Sequence, residues 1–149
     1  MSTELNSEEA AKTFLNMLIT RAHDGAIEDI TVLLEKGPPG RSPSSELVSL
    51  HHWFQSLDDD GRGTVLRIVQ ESVDSAVFGC LVLLDGMWGG YPIEGKRSDF
   101  AAYLQTYEDA DKMRANVPQS KVRLNPPAIK DDLHDMFRSI LRERSKPNN

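Results

Sequence analysis

Cysteine is almost absent from this chain of 149 residues. The one cysteine, Cys80, excludes an internal disulfide, because a disulfide needs two thiols. Cys80 lies in the apolar run Ala76–Leu84, and a free cysteine in such a run behaves as a small hydrophobe. The sequence therefore predicts a buried and unreactive thiol at Cys80.

Long apolar runs are also missing. The run from Ala76 to Leu84 has nine residues, whereas a membrane-spanning helix needs about 20. The first ten residues, MSTELNSEEA, lack both the basic region and the apolar stretch of a signal peptide. We therefore expect a soluble cytoplasmic protein with no membrane partner.

Basic charge is in short supply. The chain has 17 lysines and arginines against 23 aspartates and glutamates, and its net charge is −6. Binding to nucleic acid needs a basic patch that neutralises phosphates. The nearest approach to one, between Arg138 and Lys146, is interrupted by Glu143. The charge argues against a nucleic-acid partner and suits a positively charged protein surface better.

Motifs for nucleophilic catalysis or nucleotide binding are absent as well. The sequence contains no GxSxG, no GxxxxGK[ST] and no GxGxxG. We therefore predict no catalytic residue and no cofactor.

The stretch SLDDDGRGT, residues 56–64, resembles the start of a calcium loop of the EF-hand type. Such a loop needs glycine at position 6 and a bidentate glutamate at position 12. If Gly61 is position 6, position 12 is Arg67, a cation in place of the closing ligand. We therefore predict a helix-ending turn in which Gly61 and Gly63 supply a permissive backbone, and no specific calcium site at Asp58–Asp60.

Histidines offer a weak alternative metal site. His51 and His52 are adjacent, so they point about 100° apart on a helix rather than sharing one face. His134 follows Asp131 by three residues, which allows a carboxylate–imidazole pair. The favoured interpretation is a half-buried His51, a solvated His52 and a solvated, locally paired His134. The alternative is a metal site that uses His51, His52, His134 and Asp131.

Two large aromatic residues mark a candidate contact surface. Trp88 and Tyr91 lie in the segment GMWGGYP, whose glycines and proline exclude regular structure. Tryptophan and tyrosine are favoured anchors at protein interfaces. We predict partner binding through Trp88 and Tyr91, with Trp88 as a lid on the core and Tyr91 over a helix end as the alternative.

Hydrophobic periodicity predicts a mostly helical chain. We expect a first helix capped by Asn6 or Ser7 and interrupted at Gly25, and a helix end at Gly37. A long helix should end in a fully enclosed half over Ala76–Leu84, and a last helix should open at the prolines after Asn125. Residues 99–117 fit either a helix or a strand.

Two regions of the chain resemble a loose set of small, uncharacterised bacterial α+β proteins. In that set a long helix ending in LDG is followed by two strands and an LHDxF helix. The resemblance implies a strand at about residues 99–108 paired with one at about 120–125, and it implies no reaction. It is carried by His52–Phe54, Val65–Val69, Val77–Gly79, Leu84–Gly86, Val122–Asn125 and Asp132–Phe137.

Together these patterns predict one α+β domain over residues 1–149, mostly helical, with a two-stranded element before the C-terminal helix. An all-α fold is the alternative, and residues 1–5 and 145–149 are expected to be disordered. The leading functional hypothesis is a non-catalytic protein–protein interaction protein, with an immunity-like role as one version. The alternatives are a metal-assisted hydrolase and a sensor that holds an apolar small molecule beside the long helix.

Overall fold

The computed structural model describes residues 6–86, 94, 100–126 and 132–146. The predicted α+β class is confirmed: the chain is mostly helical, with a two-stranded antiparallel sheet before the last helix. The all-α alternative is therefore wrong. The elements are α1 (Ser7–Leu18), α2 (Asp24–Lys36), α3 (Ser45–Gln55), α4 (Asp59–Leu84), β1 (Tyr103–Thr106), α5 (Ala110–Arg114), β2 (Ser120–Arg123) and α6 (Leu133–Arg144).

The chain divides into two compact units. The middle unit consists of residues 18–77, and the terminal unit consists of residues 1–17 and 78–149. The expectation of one domain stays a prediction. Of the residues expected to be disordered, 1–5 and 147–149 lie outside the described residues.

The start of α1 follows from its capping residues. The Asn6 side chain accepts a hydrogen bond from the Glu9 backbone N–H at 2.9 Å, and Glu9 accepts one from the Asn6 N–H at 3.3 Å. This reciprocal pair is a capping box, so the predicted cap at Asn6 is confirmed.

The helical run is interrupted earlier than predicted. A π-helical turn over Ile19–His23 precedes α2, and Gly25 lies inside α2. The interruption expected at Gly25 was therefore wrong. A π turn inserts one residue into the helical period, and here both its first and its last residue, Ile19 and His23, are buried.

The predicted helix end at Gly37 is confirmed, and a capping residue begins the next helix. Gly37 ends α2 with φ of 89°, a conformation that favours glycine, and its N–H donates to the Leu33 carbonyl. The Ser44 hydroxyl oxygen caps α3 by accepting from the Leu47 N–H at 3.3 Å.

The acidic stretch is a helix start and not a glycine turn. The Asp58 carboxylate accepts a hydrogen bond from the Gly61 N–H at 2.8 Å, and Gly61 and Gly63 both lie inside α4. The permissive backbone predicted at these glycines was wrong. Asp59 and Asp60 occupy the first turn of α4, where negative charge is favourable.

The strand pairing joins β1 to β2. Tyr103 pairs with Arg123 and Thr106 with Ser120, and the two hydroxyl groups of the second pair lie 2.7 Å apart. The pairing lies within the predicted ranges, and α5 between the strands answers the open question over residues 99–117.

The enclosed half predicted for α4 is wrong. Burial within α4 is confined to Leu81 and Val82, while Ala76 is exposed. Cys80 is exposed too, so the prediction of a buried thiol fails. A run that is apolar on every side does not indicate which face of its helix is buried, and here one face of the helix is covered. None of the described helices is both long and apolar enough to cross a bilayer.

Helix α6 begins later than its prolines indicated. Pro126 lies outside the helix, whose N-cap position is Asp132. The first half of the helix has a buried face formed by Leu133, Met136 and Phe137. The Asn125 side-chain amide, just after β2, donates to the Leu84 carbonyl at the end of α4 and, at 3.0 Å, to the Phe100 carbonyl.

Candidate functional site

A buried aspartate–histidine pair lies in the terminal unit. Asp85 directly follows α4 and its side chain is 1% exposed, while the His134 side chain in the first turn of α6 is 10% exposed. Asp85 Oδ2 lies 2.8 Å from His134 Nδ1 and accepts from the His134 backbone N–H at 3.0 Å. Because a carboxylate only accepts, Nδ1 carries the proton in this contact. The ring is thereby oriented, with Nε2 on its far side.

The same carboxylate acts as a distant cap for α6. Asp132 stands at the N-cap position but makes no side-chain capping hydrogen bond. Asp85 supplies the missing acceptor from 49 residues away, and its charge is favourable at a helix N-terminus. Its second oxygen, Oδ1, is buried and has no hydrogen-bond partner among the residues that the structure describes. Such an oxygen costs about 1–3 kcal/mol of desolvation, so capping alone does not satisfy this carboxylate.

An aromatic ring and a guanidinium group lie beside the pair. Phe78 meets the His134 ring edge-on, with centroids 5.4 Å apart and planes at 80°. The Arg138 guanidinium lies 3.7 Å above the Phe78 ring centroid. These groups keep water from one side of the imidazole, and they bring a positive charge near it.

Two carboxylates complete the cluster around His134. Asp132, His134 and Asp135 each offer one ligand atom, and these atoms lie within 4.8 Å of one another. Asp135 Oδ1 lies 3.7 Å from His134 Nε2, and its side chain is 61% exposed. Within the described ranges this is the one group of three or more His, Cys, Asp or Glu residues with metal-ligand spacing.

A second buried histidine lies in the middle unit. His23 Nδ1 lies 2.8 Å from an Asp24 oxygen, and Nε2 lies 2.5 Å from an Asp74 oxygen. Since carboxylates only accept, both contacts are hydrogen bonds when both ring nitrogens carry protons. The Asp74 contact joins the π-helical turn to α4.

The middle unit also contains an open apolar groove of about 410 Å³. It lies between α4 on one side and the π-helical turn with α2 on the other. Among the described residues that line it, only Ser72 has a side-chain hydroxyl. The small side chains of Ala22, Ala26 and Ala76 leave space, while Ile68 at one side is 59% exposed. The groove is lined by Ala22, Ala26, Ile30, Ile68, Val69, Ser72, Val73, Ala76 and Val77.

The sequence also named His51 and His52 as candidate metal ligands. His51 Nδ1 lies 2.9 Å from the Leu34 carbonyl oxygen near the end of α2, while His52 is exposed. Both agree with the favoured interpretation, and neither belongs to the metal-spaced cluster described above. For His134 the expectation of a solvated ring was wrong, since it is buried against Asp85.

Three predicted site residues, Asp131, Trp88 and Tyr91, lie outside the described residues. Their assigned roles stay predictions.

Sequence reasoning missed Asp85 and His23. A signal for Asp85 was present, because it is the first charged residue after a nine-residue apolar run. No comparable signal marks His23, since the π-helical turn that carries it breaks the helical period on which the interpretation depended.

Comparisons with protein-family models, with curated proteins and with solved structures gave no match. The features that indicate a function are the groove, the charge distribution and the His134 cluster.

Proposed function

We propose that this chain is a non-catalytic cytoplasmic interaction protein whose middle unit binds a basic amphipathic helix of another protein. The observation that carries the proposal is the apolar groove between α4 and the π-helical turn with α2. An amphipathic helix placed in an apolar groove is a recurring mode of peptide recognition.

The groove has the chemistry of a helix-binding surface. Ile30 and Ile68 line it with 37% and 59% of their surface exposed. The small side chains of Ala26 and Ser72 also line it, which leaves space for side chains of a partner. Covering Ile68 removes apolar surface from water, and full burial of such a side chain contributes about 1.5–3 kcal/mol.

Charge supports a basic partner. Residues 18–77 contain ten acidic and five basic side chains, so the middle unit carries −5 of the chain's net −6. A negative field around an apolar groove accelerates encounter with a cationic helix and disfavours an acidic one.

The openness of the groove argues against the small-molecule alternative. A ligand pocket buries about 70–90% of a drug-sized ligand and places several polar groups around it. Here Ile68 is mostly exposed and Ser72 is the one hydroxyl in the lining. This arrangement suits the side chains of a partner helix better than an enclosed ligand.

The test uses a designed helical peptide with leucines at i, i+3, i+4 and i+7 and lysines elsewhere. We expect the full chain to bind it with a dissociation constant on the order of 10 µM, measured by fluorescence anisotropy. Ile68→Ser should weaken binding about tenfold, because it removes apolar burial without changing charge.

The matched control is Val117→Ser in the terminal unit, where Val117 is 53% exposed. It should leave the affinity within about twofold, and circular dichroism should show both variants folded. A glutamate version of the peptide should not bind. Equal binding of both peptides, or unchanged affinity in Ile68→Ser, would contradict the proposal.

A further inference from the structure

We propose that Asp132, His134 and Asp135 bind one divalent transition-metal ion of the zinc class, with Asp85 orienting His134 from behind. This site lies in the terminal unit and is independent of the proposed interaction function. It departs from the sequence expectation of no metal, and it uses a different residue set from the alternative considered there.

The orientation of the imidazole is the first argument. A metal-binding histidine commonly donates its second ring N–H to a carboxylate, which fixes the ring and makes the coordinating nitrogen more basic. Asp85 Oδ2 takes this place at 2.8 Å from Nδ1. The nitrogen left for a metal is Nε2, which faces Asp135.

The second argument is that the buried polar groups of His134 and Asp85 are only partly compensated. The His134 side chain is nine-tenths buried, and within the described part of the chain its Nε2 has Asp135 at 3.7 Å and no closer polar partner. Asp85 is almost completely buried, and one of its oxygens has no hydrogen-bond partner in the described ranges. Buried charges in proteins are normally paired or coordinate metals. A cation on Nε2 would compensate the charges of Asp85, Asp132 and Asp135 together.

Distances and ligand types indicate the class of metal. With bonds of about 2.0–2.1 Å, ligands on tetrahedral zinc lie roughly 3.3 Å apart. The Nε2–Asp135 separation of 3.7 Å closes to that value by a small side-chain movement. An imidazole among the ligands favours zinc, cobalt or nickel over magnesium or calcium, which prefer oxygen. Three protein ligands leave a coordination position for water.

Two groups oppose a cation here. The cluster lies in the first turn of α6, where the helix dipole disfavours positive charge and lowers affinity by a factor of roughly two to five. Arg138 lies above Phe78, which itself contacts His134. Three carboxylates around one imidazole outweigh one dipole and one stacked cation, and the Asp85 carboxylate already accepts the His134 backbone N–H.

The test is a calorimetric titration in which Zn²⁺ alone is added to the chelator-treated full chain. We expect one site with a dissociation constant of about 1 µM or tighter. Asp135→Asn should weaken it at least tenfold, because a neutral amide is a poor zinc ligand and this exposed change leaves the fold intact. In ¹⁵N-histidine spectra Zn²⁺ should shift Nε2 of His134, and Co²⁺ should give a visible absorption band.

Two controls separate this site from adventitious binding. Asp111→Asn changes an exposed carboxylate of the same unit, and His52→Gln removes an exposed histidine; both should leave the affinity within about twofold. No site tighter than 0.1 mM, unchanged affinity in Asp135→Asn, or loss of the site in His52→Gln would overturn the proposal.

Discussion

The terminal unit contains nine buried apolar side chains among its described residues, whereas the middle unit contains three, Ile19, Leu34 and Phe54. Both units expose large apolar side chains, such as Ile68 in the middle unit and Phe100 in the terminal unit, but the middle unit carries nearly all the net charge. The two units are therefore suited to different tasks. Exposed apolar surface beside acidic charge suits a partner, while burial around Asp85 and His134 suits a fixed polar site.

The largest loss of stability is expected within α4, which contains both a buried and an exposed apolar residue. Leu81 is 1% exposed near the end of α4, and Ile68 is 59% exposed earlier in the same helix. We expect Leu81→Ala to lower the free energy of unfolding by about 2–5 kcal/mol, because it leaves a cavity. Ile68→Ala should cost less than about 1 kcal/mol. Urea unfolding measures both, and similar losses would show that the two parts of α4 do not differ.

A medium effect is expected at the buried pair. Asp85→Ala removes the cap of α6 and leaves the His134 Nδ1–H without its acceptor, so unfolding should become easier by about 2–4 kcal/mol. Asp60→Ala removes an exposed first-turn acid of α4 and should cost under about 1 kcal/mol. Thermal unfolding followed by circular dichroism compares them. A loss at Asp85 no larger than that at Asp60 would mean the pair contributes little.

The smallest effect concerns the histidine of the middle unit. Asp74→Ala removes the carboxylate 2.5 Å from His23 Nε2. Because the Asp74 side chain is 30% exposed, solvent weakens this contact and the expected loss is about 1 kcal/mol. Glu71→Ala, an exposed change in the same helix, should have nearly no effect. Indistinguishable urea midpoints for the two variants would remove His23–Asp74 from the contacts that stabilise the middle unit.

Local sequence rules determined the helix starts. Asn6 caps α1 as expected, and Ser44 caps α3 in the same way, since a capping oxygen accepts from a backbone N–H two or three residues away. Gly37 ends α2 for an equally local reason. The strand pairing was expected from a resemblance, because periodicity alone did not distinguish helix from strand over residues 99–117.

Facing direction and long-range polar contacts were decided by the tertiary structure. The run Ala76–Leu84 is apolar on every side, so the sequence contained no information on which face is covered, and Cys80 proved exposed. His134 meets Asp85 across 49 residues, a separation at which no spacing rule operates. What the sequence determined were a cap and a helix end that depend on neighbours within one helical turn, at Asn6 and at Gly37. The groove and the contact between Asp85 and His134 depend on distant segments meeting, and folding alone brings those together.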